Sequence, residues 1–341
     1  MTLRAKAENA HIAKILIMIE EHTHKLIALS RLKGIGKTKL NSLIHNGELD
    51  KSIEDICKFS LKMDFAISDF EIAKAYADSQ LREASRYGHV VLTPLNPDYP
   101  KQLNLYKERP PILYCAGNPK VLNQQTVAVI GTREPTESGV EIAKRLTSWL
   151  VNEGFCIVSG LAKGIDTVAH ETAIESQGNT VAVLAHGLDK VYPAQNRALL
   201  EDITNRFGCA ISEYGYGTTV RGQFLVQRDY IQAGVSQGVV LVQSDLTGGS
   251  LHASRKILSY NRALFVAGQS KSDIASGKRK IMANMLLLSS DEVEIKKILK
   301  VNSYPNELLF KLQSKDDYGA AIKLLREKSA CSIANETRGL F

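Results

Sequence analysis

The run Val127-Ala128-Val129-Ile130-Gly131-Thr132-Arg133 opens a region, closing at Gly187-Leu188-Asp189, from which the fold can be read. Its apolar residues stop at a glycine followed by polar residues, and a helical pattern runs from Val140 to Val151. A second run, Cys156-Ile157-Val158, stops at Ser159-Gly160, and Leu161-Ala162-Lys163-Gly164-Ile165-Asp166 leads into a helix through Ala173. The third run, Thr180 to Leu184, stops at His186. Short apolar runs alternating with helices predict β-α-β units on a parallel sheet, with the functional edge beyond the carboxyl ends of the strands. Glycine lets backbone approach a ligand closely, and the first N–H groups of a helix attract anions, so these strand ends predict a phosphate site.

A dinucleotide site would need G-x-G-x-x-G after the first strand and an acidic residue about 20 positions later. Here the first turn reads Gly131-Thr132-Arg133-Glu134 and the second strand ends in Ser159-Gly160. An arginine where a pyrophosphate would lie, with no carboxylate for a ribose, argues against an NAD-type cofactor and for a ligand with many phosphates. The pattern continues through Ala210-Ile211 and Ser212-Glu213-Tyr214, a glycine-aromatic loop to Phe224, and a helix from Arg228 to Ala233. Val239–Gln243 then leads to Leu246-Thr247-Gly248-Gly249-Ser250, a helix from Leu251 to about Tyr260, and a last strand at Ala263–Val266. Polar turns repeated on one edge predict an elongated groove across them.

The 341 residues, 44% of them hydrophobic, suffice for two domains. The expected fold class is α/β: an extended Rossmann-like doubly wound parallel sheet at residues 89–300, preceded by a small helical domain of SAM or helix-hairpin-helix type at 1–88. A short helical tail, without a full winged helix, is expected at 301–341. Within 1–88, residues 11–32 read as a helix, and Leu32-Lys33-Gly34-Ile35-Gly36-Lys37 reads either as a hairpin gripping a nucleic-acid backbone or as a tight turn between packed helices. Ile53, Ile56, Leu61, Phe65 and Ile67 are the expected buried positions of the next segment. No apolar run reaches the ~18 residues of a membrane span and residues 1–20 carry no secretory cleavage pattern, so a cytoplasmic location is expected.

Cys57, Cys115, Cys156, Cys209 and Cys331 are scattered without ligand spacing, which predicts buried small hydrophobes, with neither disulfides nor a metal. A net charge of +7 permits a polyanionic partner. The triplet Lys278-Arg279-Lys280 reads as a solvated loop unless it abuts the groove.

With these residues in view, the chain resembles the bacterial DNA-processing DprA/Smf family over roughly Pro94 to Gly268. The resemblance rests on Gly131-Thr132-Arg133; Ser159-Gly160-Leu161-Ala162-Lys163-Gly164-Ile165-Asp166 with Ala169-His170; Gly187-Leu188-Asp189, Tyr192-Pro193 and Asn196; Ser212-Glu213-Tyr214, Gly217-Thr218, Phe224, Arg228 and Ala233-Gly234; and Gly248-Gly249-Ser250. It implies a Rossmann-like domain that binds single-stranded DNA, dimerises and loads a RecA-type recombinase in natural transformation and recombination, with no cofactor and no catalytic step. Departures are Asp229 where the family has asparagine, Gly248 where it has serine, Ala194-Gln195 where a basic residue is frequent, and no glycine-serine-asparagine run after Gly268.

Within this reading the DNA-binding candidates are Gly131, Thr132, Arg133, Ser159, Gly160, Lys163, Gly164, Arg221, Phe224, Arg228, Gly248, Gly249 and Ser250. Arg133 would pair with a phosphate or, alternatively, with Glu134 or Glu137. Phe224 would stack a base whose phosphate Arg221 holds, or pack under its own loop. Gly248-Gly249-Ser250 would cup a phosphate by backbone N–H, with Ser250 also able to cap the next helix. Asp166 and His170, one helical turn apart, and Asp189 and Asn196 are expected to be structural. The competing class is a nucleotide-processing enzyme or sensor akin to LOG phosphoribohydrolases, which carry a glutamate after their glycine loop; Leu251-His252-Ala253-Ser254 has none. A defence-associated relative with a different partner is the third reading.

Overall fold

Val127 and Val129 face one side of the sheet, Ala128 and Ile130 the other, and all are buried. This is why the strand reads as a continuous apolar run rather than an alternating one. The computed structural model describes the backbone of residues 3–327 and the side chains of 13–327. Nine strands form one sheet: β1 Val90–Leu92, β2 Leu113–Gly117, β3 Thr126–Ile130, β4 Cys156–Ser159, β5 Thr180–Leu184, β6 Gly208–Ser212, β7 Gly238–Leu241, β8 Ala263–Ala267 and β9 Leu309–Leu312. Their order is β1-β2-β6-β5-β4-β3-β7-β8-β9. From β6 to β9 the pairing is parallel, whereas β1 and β2 add an antiparallel edge. The fold is therefore the expected doubly wound Rossmann-like sheet, and its order reverses between β3 and β7.

The helical region comprises α1 Leu3–Arg31, α2 Lys37–His45, α3 Ile53–Asp55 and α4 Ile67–Arg86. On one face of the sheet lie α5 Lys101–Asn104, α9 Gly222–Val235, α10 Leu251–Ser259, α12 Met282–Leu288 and α13 Glu292–Leu299. On the other lie α6 Glu137–Asn152 and α7 Ile165–Glu175. The short helices α8 Arg197–Asp202 and α11 Lys271–Ala275 follow β5 and β8, respectively.

Two expectations need correction. The segment after residue 300 is not simply a helical tail: β9 pairs with β8 from Leu264↔Leu309 to Ala267↔Leu312, and a helix over 318–327 buries Ala321, Ile322 and Leu325 against α6. The α/β unit thus runs past 300, because Leu309 and Leu312 continue the strand pattern that their polar neighbours mask. Ile67 is not a core residue; it opens α4 and is 79% exposed, while Phe70, Ala73 and Ala77 form the buried stripe at helical spacing. Cys331 lies outside the described residues, and the other four cysteines are buried with no disulfide.

The Gly34–Gly36 hairpin is packed onto the α/β unit. Ile35 is buried, Lys37 pairs with the buried carboxylate of Glu213 after β6, and Asn41 Nδ2 donates to the carbonyls of Lys107 and Arg109 at 3.1 and 2.9 Å. Gln80 of α4 accepts the Tyr216 N–H at 2.7 Å. Here the hairpin serves as a turn between packed helices and as a dock for the edge of the sheet. No described helix is long and apolar enough to cross a membrane.

Candidate nucleic-acid interface

The reversal of strand order forces the turns after β3 and β7 apart, and α/β sheets bind ligands in the crevice so formed. A cavity of about 420 Å³ lies there, lined by Gly131, Thr132 and Arg133, by Ala162 and Asp166, by Gly222, Leu225, Val226, Arg228 and Asp229 of α9, and by Ser244, Asp245, Gly248, Gly249, Ser250 and His252. Hydrogen bonds lock the turns together: Thr132 N–H donates to Gln243 O at 2.8 Å, and Ile165 N–H to Thr132 O at 3.2 Å. Gly164, at φ +79°, fits because a Cβ there would lie 2.5 Å from Thr132 O.

Arg133 is exposed at this cavity. Glu134, one of its alternative partners, instead pairs with Lys280 at 2.8 Å, and among the described residues Arg133 has no ion pair. The N–H groups of Arg133, Gly249 and Ser250 find no acceptor among the described residues. Ser250 does not cap α10; its Oγ donates to Ser244 Oγ at 3.0 Å. A cationic residue and N–H groups without an acceptor among the described residues, all on the lining of one crevice, suit an anion.

Arg228 has another position than expected. It is 5% exposed, with Nη1 at 3.4 Å from Asp166 Oδ2 and Nε at 3.2 Å from Asp229 Oδ1, and in the hydrogen-bonded orientation of Gln232 its amide oxygen accepts from Nη1 at 2.6 Å. The guanidinium lies over Gly160: a Cβ on that residue would come 0.9 Å from Nη1. Arg228 therefore compensates two buried carboxylates rather than standing free for a phosphate. Ser159 also points inward, its buried Oγ donating to Val129 O at 2.8 Å, which removes its side chain from the phosphate path. Gly160 gives its N–H to Asp166 at 3.2 Å.

Phe224 is no open platform, because Tyr214 stacks on it at 4.2 Å and Arg221 sits 5.5 Å from its ring centroid. Neither Arg221 nor Phe224 lines the cavity, although Gly222, Leu225 and Val226 between and beside them do. Lys163 is exposed on its turn, outside the lining.

Asp166 accepts from the N–H groups of Gly160 and Ala162 as well as from Arg228, tying the second turn to α7 and α9. His170 Nδ1 meets Thr180 Oγ1 at 2.7 Å; burial, aided by Arg228, lowers its pKa to about 3, so it is neutral. Asp189 accepts the Gly217 N–H at 3.0 Å, and Asn196 Nδ2 donates to Leu161 O and Thr167 Oγ1, each at 2.9 Å. Burial pushes Asp229 up to about 7, with Asp166 adding to the rise and Arg228 and Arg133 opposing it.

Sequence reasoning missed the support for the third turn. Asn284 donates to the carbonyls of Leu241 and Val242 and accepts the Ser244 N–H at 2.9 Å, and Gln243 links Thr136 to Gln269. Asn284, on α12, thus braces the turn after β7. Lys278-Arg279-Lys280 does abut the groove: Arg279 lies 3.9 Å from Asp245, and Lys280 holds Glu134. Its basic composition was the available signal.

A doubly wound α/β sheet with an anion-receptive crevice at its switch point defines the class. Residues 90–299 match the family described as DNA recombination-mediator protein A. The chain belongs to that family. It is 34% identical over 251 residues to protein Smf of Synechocystis sp., covering 70% of this chain and 63% of that protein. With the DNA processing protein DprA of Streptococcus pneumoniae it shares 36% identity over 167 residues, covering 49% of this chain and 58% of the relative. The matches thus span about six-tenths of the length of these relatives. The X-ray structure of the S. pneumoniae protein superposes with a TM-score of 0.64 at 25% identity, covering 78% of this chain and 97% of that one. The DNA processing protein A of Helicobacter pylori, whose structure is described for its single-stranded DNA binding mode, matches at 28% identity and TM-score 0.50, over 63% of this chain and 98% of that one.

Proposed function

We propose that this protein binds single-stranded DNA by its phosphate backbone in the switch-point cavity and hands the strand to a RecA-type recombinase. The observation that carries the first half is that Arg133, Gly249 and Ser250, whose N–H groups have no acceptor among the described residues, line one crevice beside Leu225 and Val226. A cation and N–H donors for phosphates, with apolar side chains beside them for bases, would hold a strand by its backbone and so without sequence preference. Anisotropy titration with labelled oligonucleotides of differing sequence tests this. Similar affinities that fall steeply with salt are expected; absence of binding overturns the reading. The recombinase step and a homodimer rest on family membership. Loading of a RecA-type protein onto strands coated with single-strand-binding protein, and light scattering, test them.

Asp229 gives the binding a pH dependence. Its folded pKa of about 7 lies above the ordinary carboxylate value, so below 7 it is protonated and above 7 it adds a negative charge to the crevice. Affinity is expected to rise as pH falls from 8 to 6, by up to about tenfold for one neighbouring charge. The Asp229→Asn variant should bind at pH 8 as the unsubstituted protein does at pH 6, with little pH response of its own. The same proton uptake makes folding stability fall as pH rises from about 4 to 7, since the folded form holds a proton that the unfolded form has released.

A further inference from the structure

Two rows of side chains leave the cavity along the outer surface of α9 and α10. Val226 and His252 line the cavity, and one helical turn further stand Tyr230 and Lys256, on the same faces of their helices. The rows converge, for Lys256 Nζ lies 5.3 Å from the Tyr230 ring centroid and 4.7 Å from that of Tyr260. Arg255 neighbours them, with Nε fixed on Ile298 O at 2.9 Å, and Tyr260 stacks on Tyr106 at 3.5 Å. The local charge is positive: His252 has its pKa lowered by burial and then by Arg255 and Lys300, and the one acid paired with Lys256, Glu108, is 3.8 Å away and largely exposed. Lys256 is 22% exposed at its side chain, and Tyr230 and Tyr260 are half-buried.

We propose that this α9–α10 surface is a second stretch of the nucleic-acid site, taking the nucleotides that leave the cavity, with Lys256 and Arg255 facing phosphates, Tyr230 presenting its ring to a base, and Tyr260, already stacked on Tyr106, backing Lys256. Charge complementarity and continuity with the cavity commit it to a single-stranded polyanion. Cations beside an aromatic ring suit such a strand, because every base has a π-face and every step a phosphate. The proposal rests on the strand-binding reading of the cavity and extends its footprint by about one helical turn, roughly 5 Å.

The test compares an oligonucleotide of about 6 nucleotides, sufficient for the cavity, with one of about 20, long enough to continue along the helices. Lys256→Glu is expected to weaken the longer strand by roughly tenfold or more and lower its salt slope by about 0.7 to 1.4, as one cation is lost and an anion gained, while leaving the shorter within about twofold. Lys256→Arg should keep the longer strand's affinity, and Tyr230→Ala should weaken it without moving the salt slope. Unfolding midpoints of all variants, matched to the unsubstituted protein, separate binding from folding. Equal effects on both strand lengths, or none on either, overturn the track. If the unsubstituted protein binds neither strand, the cavity reading falls, and the track with it.

Discussion

Arg133→Ala is expected to lower affinity for single-stranded DNA by roughly 10- to 100-fold, with the protein's unfolding midpoint unchanged. The magnitude follows from a charge-assisted contact worth about 1.5–3 kcal/mol. The unchanged midpoint follows from Arg133 being exposed, with no ion-pair partner among the described residues. Because the lost contact is to a phosphate, the loss should be the same for every sequence, and the plot of log affinity against log salt should flatten by about 0.7. Titrations at several salt concentrations measure both. A loss confined to some sequences would assign Arg133 to base reading, and unchanged affinity would remove it from the site.

Arg228→Met is expected to behave in the opposite way, destabilising the fold first and affecting binding only through it. Asp166 and Arg228 are almost wholly buried, and Asp229 sits on the second edge of the same guanidinium. Removing the cation leaves two carboxylates in a poor solvent, which costs about 3–5 kcal/mol when one partner of a buried pair is deleted. Burial already raises the pKa of both Asp166 and Asp229, with Arg228 opposing the rise. Without Arg228 both move up further, so the deficit should be greatest at high pH and shrink as protons neutralise them below about 7. Denaturant unfolding at pH 6 and pH 8 reads this. Gly160→Ala should produce a similar defect, since the new methyl group must displace the guanidinium. A variant as stable as the parent at pH 8 would show that the triad does not hold these turns.

The contrast between the two arginines shows what a sequence can carry. Both follow glycine-rich or helical motifs in a plausible phosphate path, and nothing in their spacing separates an exposed cation from a buried one. Burial depends on Gly160, 68 positions earlier in the chain, leaving room for Arg228, and on Asp166 meeting it across the sheet edge. The parallel strands were legible because β3, β4, β5, β7 and β8 are buried on both faces and end in turn residues. β9 was not, since Leu309-Phe310-Lys311-Leu312 is short, half-exposed and set in polar sequence. Phe224 stayed open between a base platform and packing under its own loop, because a stacking partner such as Tyr214, earlier in the same β6–α9 connection, leaves no mark in the spacing. Asn284 escaped notice for the same reason: its hydrogen bonds span some 40 residues to the β7 turn.

Turns from separate β-α units meet at the β3–β7 crevice, where the proposed function has them hold a strand by its phosphates. Photo-crosslinking of the intact protein to a single-stranded oligonucleotide, followed by peptide mapping, tests it most directly. Crosslinked peptides are expected to contain Gly131–Arg133, Gly222–Val226 and Gly248–His252. Crosslinks confined to the helical region before residue 88, or to the outer face of α6, would contradict it.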